Sequence, residues 1–133
     1  MYLLIGEPKN RISIVSTDDL ARIVVDSLTL PDARNQILPV GGPEILLRED
    51  IPKIFSRIFN KESIIINVPL FAVDSFRGAL GLFNSSAQTT LGTFRTLLAN
   101  EFFCTSGEIA NLERIYNFQL ETVEKFLCRY LAI

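Results

Sequence analysis

An α/β domain is the fold class this sequence predicts: a small partial sheet of about three or four short strands packed with four to five helices. Three observations carry that expectation. Short apolar runs bounded by Gly, Pro and Asn alternate with stretches whose apolar residues recur at helical spacing. Ser63 to Val68, with three successive isoleucines, reads as a strand buried on both faces, which implies a parallel sheet. The length of 133 residues fits one domain, 1–133, that can enclose a core.

Along the chain, residues 2–5 and 12–15 are apolar runs separated by the turn-rich Gly6-Glu7-Pro8-Lys9-Asn10, giving strand, turn and strand. A helix follows. Ser16 or Thr17 can accept from a first-turn N–H, Asp18 and Asp19 place negative charge at the positive end of the macrodipole, and Pro31 lies beyond the stop. Leu20, Ile23, Val24 and Leu28 give its helical spacing. Gln36 to Val40 reads as a short strand at an edge, because Pro39 has no N–H to give a ladder.

Gly41-Gly42-Pro43 turns the chain into a helix whose buried stripe is Ile51, Ile54, Phe55, Ile58 and Phe59, with Pro52 in the first turn. After the 63–68 strand, residues 70–83 fit either a helix with a close-packing glycine face at Gly78 and Gly81 or a loop. Asn84 to Thr90 reads as a polar connector. Leu91, Phe94, Leu98 and Phe102 suggest another amphipathic helix, which Cys104-Thr105-Ser106-Gly107 breaks. The remainder reads either as one long helix or as two joined around Asn117 to Leu120.

Composition narrows the functions. The net charge is −2 and the basic residues, among them Arg11, Arg22, Arg34, Arg48, Lys53 and Arg57, form no stripe that could follow a phosphate backbone, so nucleic acid is not an expected partner. With no histidine, the commonest general base and transition-metal ligand is missing, and no metal site is expected. Cys104 and Cys128 lack metal-type spacing and read as buried or partly buried thiols. A 48 % apolar share and a mean hydropathy of +0.29 suggest surface for a partner, another polypeptide or a second copy. No run reaches the roughly 18 apolar residues of a membrane span, and the N-terminus has no signal-peptide pattern. A soluble protein of the cytoplasm or an organelle stroma is expected.

The ordered series Asp19-Leu20-Ala21, Gly41-Gly42-Pro43-Glu44, Leu46 to Ile51 and Asn60-Lys61 followed by Val68-Pro69 resembles the C-terminal, substrate-binding part of atypical and extended short-chain dehydrogenase/reductases, the NmrA-like and nucleotide-sugar epimerase kin. The resemblance implies that Asp19, Gly41, Gly42 and Pro43 are structural motif residues and that the nucleotide-binding N-terminal half is absent. It also implies an incomplete enzyme: no cofactor for this chain alone, NAD or NADP once the other half is supplied, and a small organic substrate. By the same likeness Arg11 is a candidate to grip substrate phosphate; from the residues alone it is a solvated strand-end arginine.

No catalytic residue is assigned. The superfamily's Tyr-x-x-x-Lys pair has no counterpart at Tyr2, Tyr116 or Tyr130. Gly41-Gly42 has no third glycine to make a dinucleotide fingerprint and reads as a turn. Asp18-Asp19 and Glu49-Asp50 read as helix-start charges. The phenylalanines at 55, 59, 94, 102 and 126 read as core. The alternative is a stand-alone, non-enzymatic binding or interaction module presenting an apolar face.

Overall fold

The computed structural model describes residues 1–62 and 64–132. The fold is α/β, with six α-helices and two sheets of two short strands among the described residues. The chain forms two compact units, one made of Met1–Arg11 with Leu47–Phe102, the other of Ile12–Leu46 with Phe103–Ile133. Two short strands, β2 (Arg11–Ile12) and β3 (Leu46–Leu47), form one of the two sheets.

In the first unit, β1 (Tyr2–Ile5) and β4 (Ile65–Val68) form a parallel ladder in the register Tyr2 to Ile65 through Ile5 to Val68. The ladder continues at both ends, where Tyr2 donates to the Ile64 carbonyl at 2.8 Å and Gly6 to that of Val68 at 3.0 Å. Gly6 then turns the chain at φ 91°, a left-handed angle that glycine adopts without a Cβ penalty. Helix α2 (Asp50–Phe59) buries Pro52 and Ile54, and stops at Asn60, which is left-handed at φ 47°. Helices α3 (Leu70–Gly81) and α4 (Ser85–Ala99) pack on each other.

The second unit holds a continuous core. Ile23 of α1 (Thr17–Asp26), Ile109, Leu112 and Tyr116 of α5 (Ser106–Tyr116), and Cys104 and Leu120 cluster there, with Val15, Leu38 and Val40 packed against them. Ser16 caps α1 by accepting from the Asp19 N–H. Thr105 and Glu108 form a reciprocal capping box at the start of α5, satisfying two N–H groups that the first turn leaves unpaired. Asn117, left-handed at φ 51°, ends α5, and Thr122 caps α6 (Val123–Leu131). The break around 117–120 is therefore a cap-to-cap junction.

Several expectations change. The 12–15 strand shrinks to Arg11–Ile12; beyond it the Ser13 hydroxyl accepts from the Cys104 N–H at 2.9 Å and Val15 packs against the second unit's core. Gln36 to Val40 joins no ladder: the chain leaves a left-handed Asn35 and lays Leu38 and Val40 on the core while Ile37 faces water.

Ser63 lies outside the described residues. The strand that follows is parallel as expected, but it is not buried on both faces: Ile65 is 39 % and Ile66 42 % exposed, since β4 has a single ladder neighbour among the described residues and α3 and α4 pack on one another.

Residues 70–81 are helical. The connector at 84–90 is instead the first turns of α4, capped by the Asn84 side chain on the Ala87 N–H at 3.0 Å. Hydroxyls of Thr89 and Thr90 donate to the carbonyls of Ser85 and Ser86, so polar residues are satisfied inside a helix. The helix ends at Ala99, and the Phe102 N–H donates to the Arg11 carbonyl at 3.0 Å.

Candidate functional site

The candidate site is the cleft between α3 and α4, a cavity of about 710 Å³ lined by Asp74, Arg77, Thr89, Gly92, Thr93, Arg95, Thr96 and Leu97. Helical spacing places Thr89, Thr93 and Thr96 on one side of α4, and position 92 between them is glycine. A Cβ there would sit 3.2 to 3.3 Å from the Arg77 guanidinium, so the missing side chain lets that flat group lie against α4. Gly81 does the same for the Gln88 amide, 2.5 to 2.9 Å from where its Cβ would be.

The two arginines are held differently. Arg95 grips Asp74 with a two-pronged pair, Nε to Oδ1 at 3.0 Å and Nη2 to Oδ2 at 3.2 Å. That hydrogen bonding, with the positive charges of Arg95 and Arg77, holds the Asp74 carboxyl below its ordinary range against partial desolvation, and Arg95 is raised in turn. Arg77 donates through Nε to the Gln88 carbonyl at 3.3 Å, and neither of its terminal nitrogens has a hydrogen bond among the described residues. Thr93 and Thr96 donate their hydroxyl protons back to the carbonyls of Thr89 and Gly92, leaving oxygen lone pairs as acceptors.

A second, smaller cavity of about 530 Å³ lies in the other unit, lined by Pro31, Asp32, Gln36, Leu38, Asn111, Arg114 and Ile115. Its arginine is engaged, Arg114 Nη2 donating to Asn111 Oδ1 at 2.7 Å.

The residues singled out from sequence lie outside the α3–α4 cleft. Arg11 is in a fork-to-fork pair with Glu101 at 2.8 and 2.7 Å, and its backbone N–H donates to the same carboxylate at 3.2 Å. The arginine is raised by that bonding and Glu101 is drawn down to about 2. The expected solvated arginine is thus a half-exposed member of an ion pair.

Asp19 Oδ2 accepts from the Glu121 N–H at 2.8 Å, and Glu44 Oε2 from the Val123 N–H at 3.2 Å. Gly41 and Gly42 let the chain pass Ser13, Ile14 and Cys104: a Cβ on Gly41 would meet Ser13 Oγ at 2.5 Å and Cys104 Sγ at 2.8 Å, and one on Gly42 would overlap the Ile14 carbonyl. Neither has a positive φ, so close approach is what demands glycine. Pro43 bends the chain immediately after.

Sequence reasoning missed Asp74, Arg77, Arg95 and the threonines. Their signal, threonines three and four positions apart around a glycine, was hidden by assigning 84–90 to a loop. Among the described residues no group of three or more His, Cys, Asp or Glu is placed to hold a metal ion, and no helix is long and apolar enough to cross a membrane. No family model matches this chain, and no curated protein matches it.

Proposed function

We propose that this chain is the substrate-binding lobe of an atypical short-chain dehydrogenase/reductase, inactive by itself and acting on a small organic substrate with NAD or NADP held by a nucleotide-binding half outside these residues. The observation that carries the reading is the placement of the motif acids. Asp19 and Glu44, from separate pieces of the resembling series, accept the N–H groups of Glu121 and Val123 and so brace the entry to α6. The β1–β4 ladder adds support, because parallel strands are ordinarily covered on both faces and these expose isoleucines and have only each other as neighbours among the described residues. Further strands from the nucleotide-binding half would complete such a sheet. In this reading the chain works in the cytoplasm or an organelle stroma, and the α3–α4 cleft seats substrate.

Isothermal titration of the purified chain with NADPH and with NADH tests the proposal. No binding heat is expected from either, and clear binding of one by this chain alone overturns it. A Gly-x-x-Gly-x-x-Gly segment is expected in the same gene or in a co-purifying polypeptide.

A second reading, a stand-alone interaction module, draws on the exposed apolar residues Phe71, Phe76, Leu82 and Phe83 of α3 and the turn after it. It calls for a defined, folded oligomer without nucleotide, read by sedimentation velocity. A monomer or a heterogeneous aggregate rejects it.

A further inference from the structure

We infer that the α3–α4 cleft binds a small organic anion that also carries hydroxyl groups, with Arg77 as the anion-gripping residue and the threonine row of α4 accepting from the ligand's hydroxyls. The cavity, about 710 Å³, falls within the few hundred to about a thousand cubic ångströms of small-molecule sites. Its charged lining is two guanidiniums against one carboxylate, leaving positive charge in excess.

Division of labour between the arginines sharpens the assignment. Asp74 occupies the Nε and Nη2 of Arg95, so that side chain is committed. Arg77 is anchored at Nε by the Gln88 carbonyl and lies against α4 at Gly92, which limits its freedom while its terminal nitrogens keep their donors. A guanidinium fixed in that way is suited to a carboxylate or phosphate, whose oxygens match the fork. An ammonium in its place would keep the charge and lose the matched donors.

The threonines set the other half of the ligand. Their hydroxyl protons are spent on helix carbonyls, so they offer acceptors and favour a ligand with O–H donors. A simple anion satisfies the arginine alone, and a neutral polyol the threonines alone. The combination selects a hydroxy acid or a phosphorylated polyol.

Calling this ligand the substrate rests on the reductase-lobe reading; the binding itself does not. NADPH binding by the chain would defeat the lobe and leave the cleft untouched, whereas the ligand titrations below bear on the cleft alone.

The experiment is a two-dimensional ¹H–¹⁵N NMR titration of the full chain with gluconate, with glycerol 3-phosphate and with glycerol. At least one of the two anions is expected to shift the Arg77 Nε–H and the amides of Gly92 and Thr93 in a saturable manner, and the stronger of the two identifies carboxylate or phosphate as the preferred group. Glycerol is expected to leave them in place. Arg77→Gln is expected to weaken binding about tenfold or more, and Arg77→Lys to recover only part of it. Thr93→Val, which keeps shape and removes an acceptor, is expected to weaken it a fewfold and serves as the second variant if Arg77→Gln does not fold. Failure of both anions to shift these resonances, shifts as large with glycerol, or unchanged affinity in a folded Arg77 or Thr93 variant would overturn the inference.

Discussion

Glu101 and Arg11 are joined by three hydrogen bonds, two from the guanidinium and one from the arginine's own backbone N–H, across 90 positions of sequence. The side-chain bonds come first in drawing the Glu101 carboxyl down to about 2, followed by the backbone bond. A carboxyl depressed by folding contributes stability that is fully present above its unfolded pKa of about 4.3 and is lost as pH falls through the folded value. Thermal melts between pH 6 and pH 2 should therefore show an acid limb that Glu101→Gln flattens in the lower part of that range. An identical limb in the variant would remove Glu101 from acid unfolding; the pair is solvent-accessible, so its effect should shrink in high salt.

Two glycines should answer oppositely to the same substitution. At Gly42 a Cβ would run into the Ile14 carbonyl, a backbone atom that cannot swing away, so Gly42→Ala should destabilise by about 2 kcal/mol or more. At Gly78, inside α3, nothing lies within 4 Å of the new methyl, and Gly78→Ala should stabilise by about 1 kcal/mol through helix propensity. Urea denaturation of both variants checks the contrast. Equal effects of the same sign would contradict the packing at residue 42.

Leu112 is 2 % exposed at the centre of the second unit's core, and Leu112→Ala should cost about 3 kcal/mol for lost burial and the cavity left behind. Tyr116 in the same cluster shares a 2.6 Å hydrogen bond with Ser27, whose hydroxyl also donates to the Ile23 carbonyl at 2.6 Å. Because Ser27 keeps that second partner, Tyr116→Phe should cost only about 1 kcal/mol. Chemical denaturation ranks the two, and a larger loss for Tyr116→Phe would refute this account of the core.

Cys104 is buried, and its thiol is pushed up by that burial and by the Glu108 carboxylate, against a lowering hydrogen bond with Ser13. Thiolate is the reactive form, so iodoacetamide at pH 8 should modify the more accessible Cys128 well before Cys104. Peptide mass spectrometry of a time course reads the order directly, and faster labelling of Cys104 would mean that its pocket opens in solution.

Features that depend on neighbours along the chain are legible in the order of residues alone. Ser16, Thr105 and Thr122 cap helices because each can accept from an N–H three residues ahead, and Asn60 and Asn117 end them because asparagine tolerates a left-handed backbone. The cap at Ser16 was readable on those grounds, and the α/β class in the alternation of short apolar runs with helical spacing.

Contacts between distant segments were not. That Arg11 meets Glu101, that Asp19 and Glu44 hold the approach to α6, and that Gly41 and Gly42 are required by Ser13, Ile14 and Cys104 depend on segments far apart in the chain. The cleft belongs to the same class: Arg77 becomes a poised donor only because α4 brings Gln88 and Gly92 against it while Asp74 is taken by Arg95. Periodicity reports which face of an element is apolar. Packing alone decides which polar groups are satisfied, and so which remain available to bind.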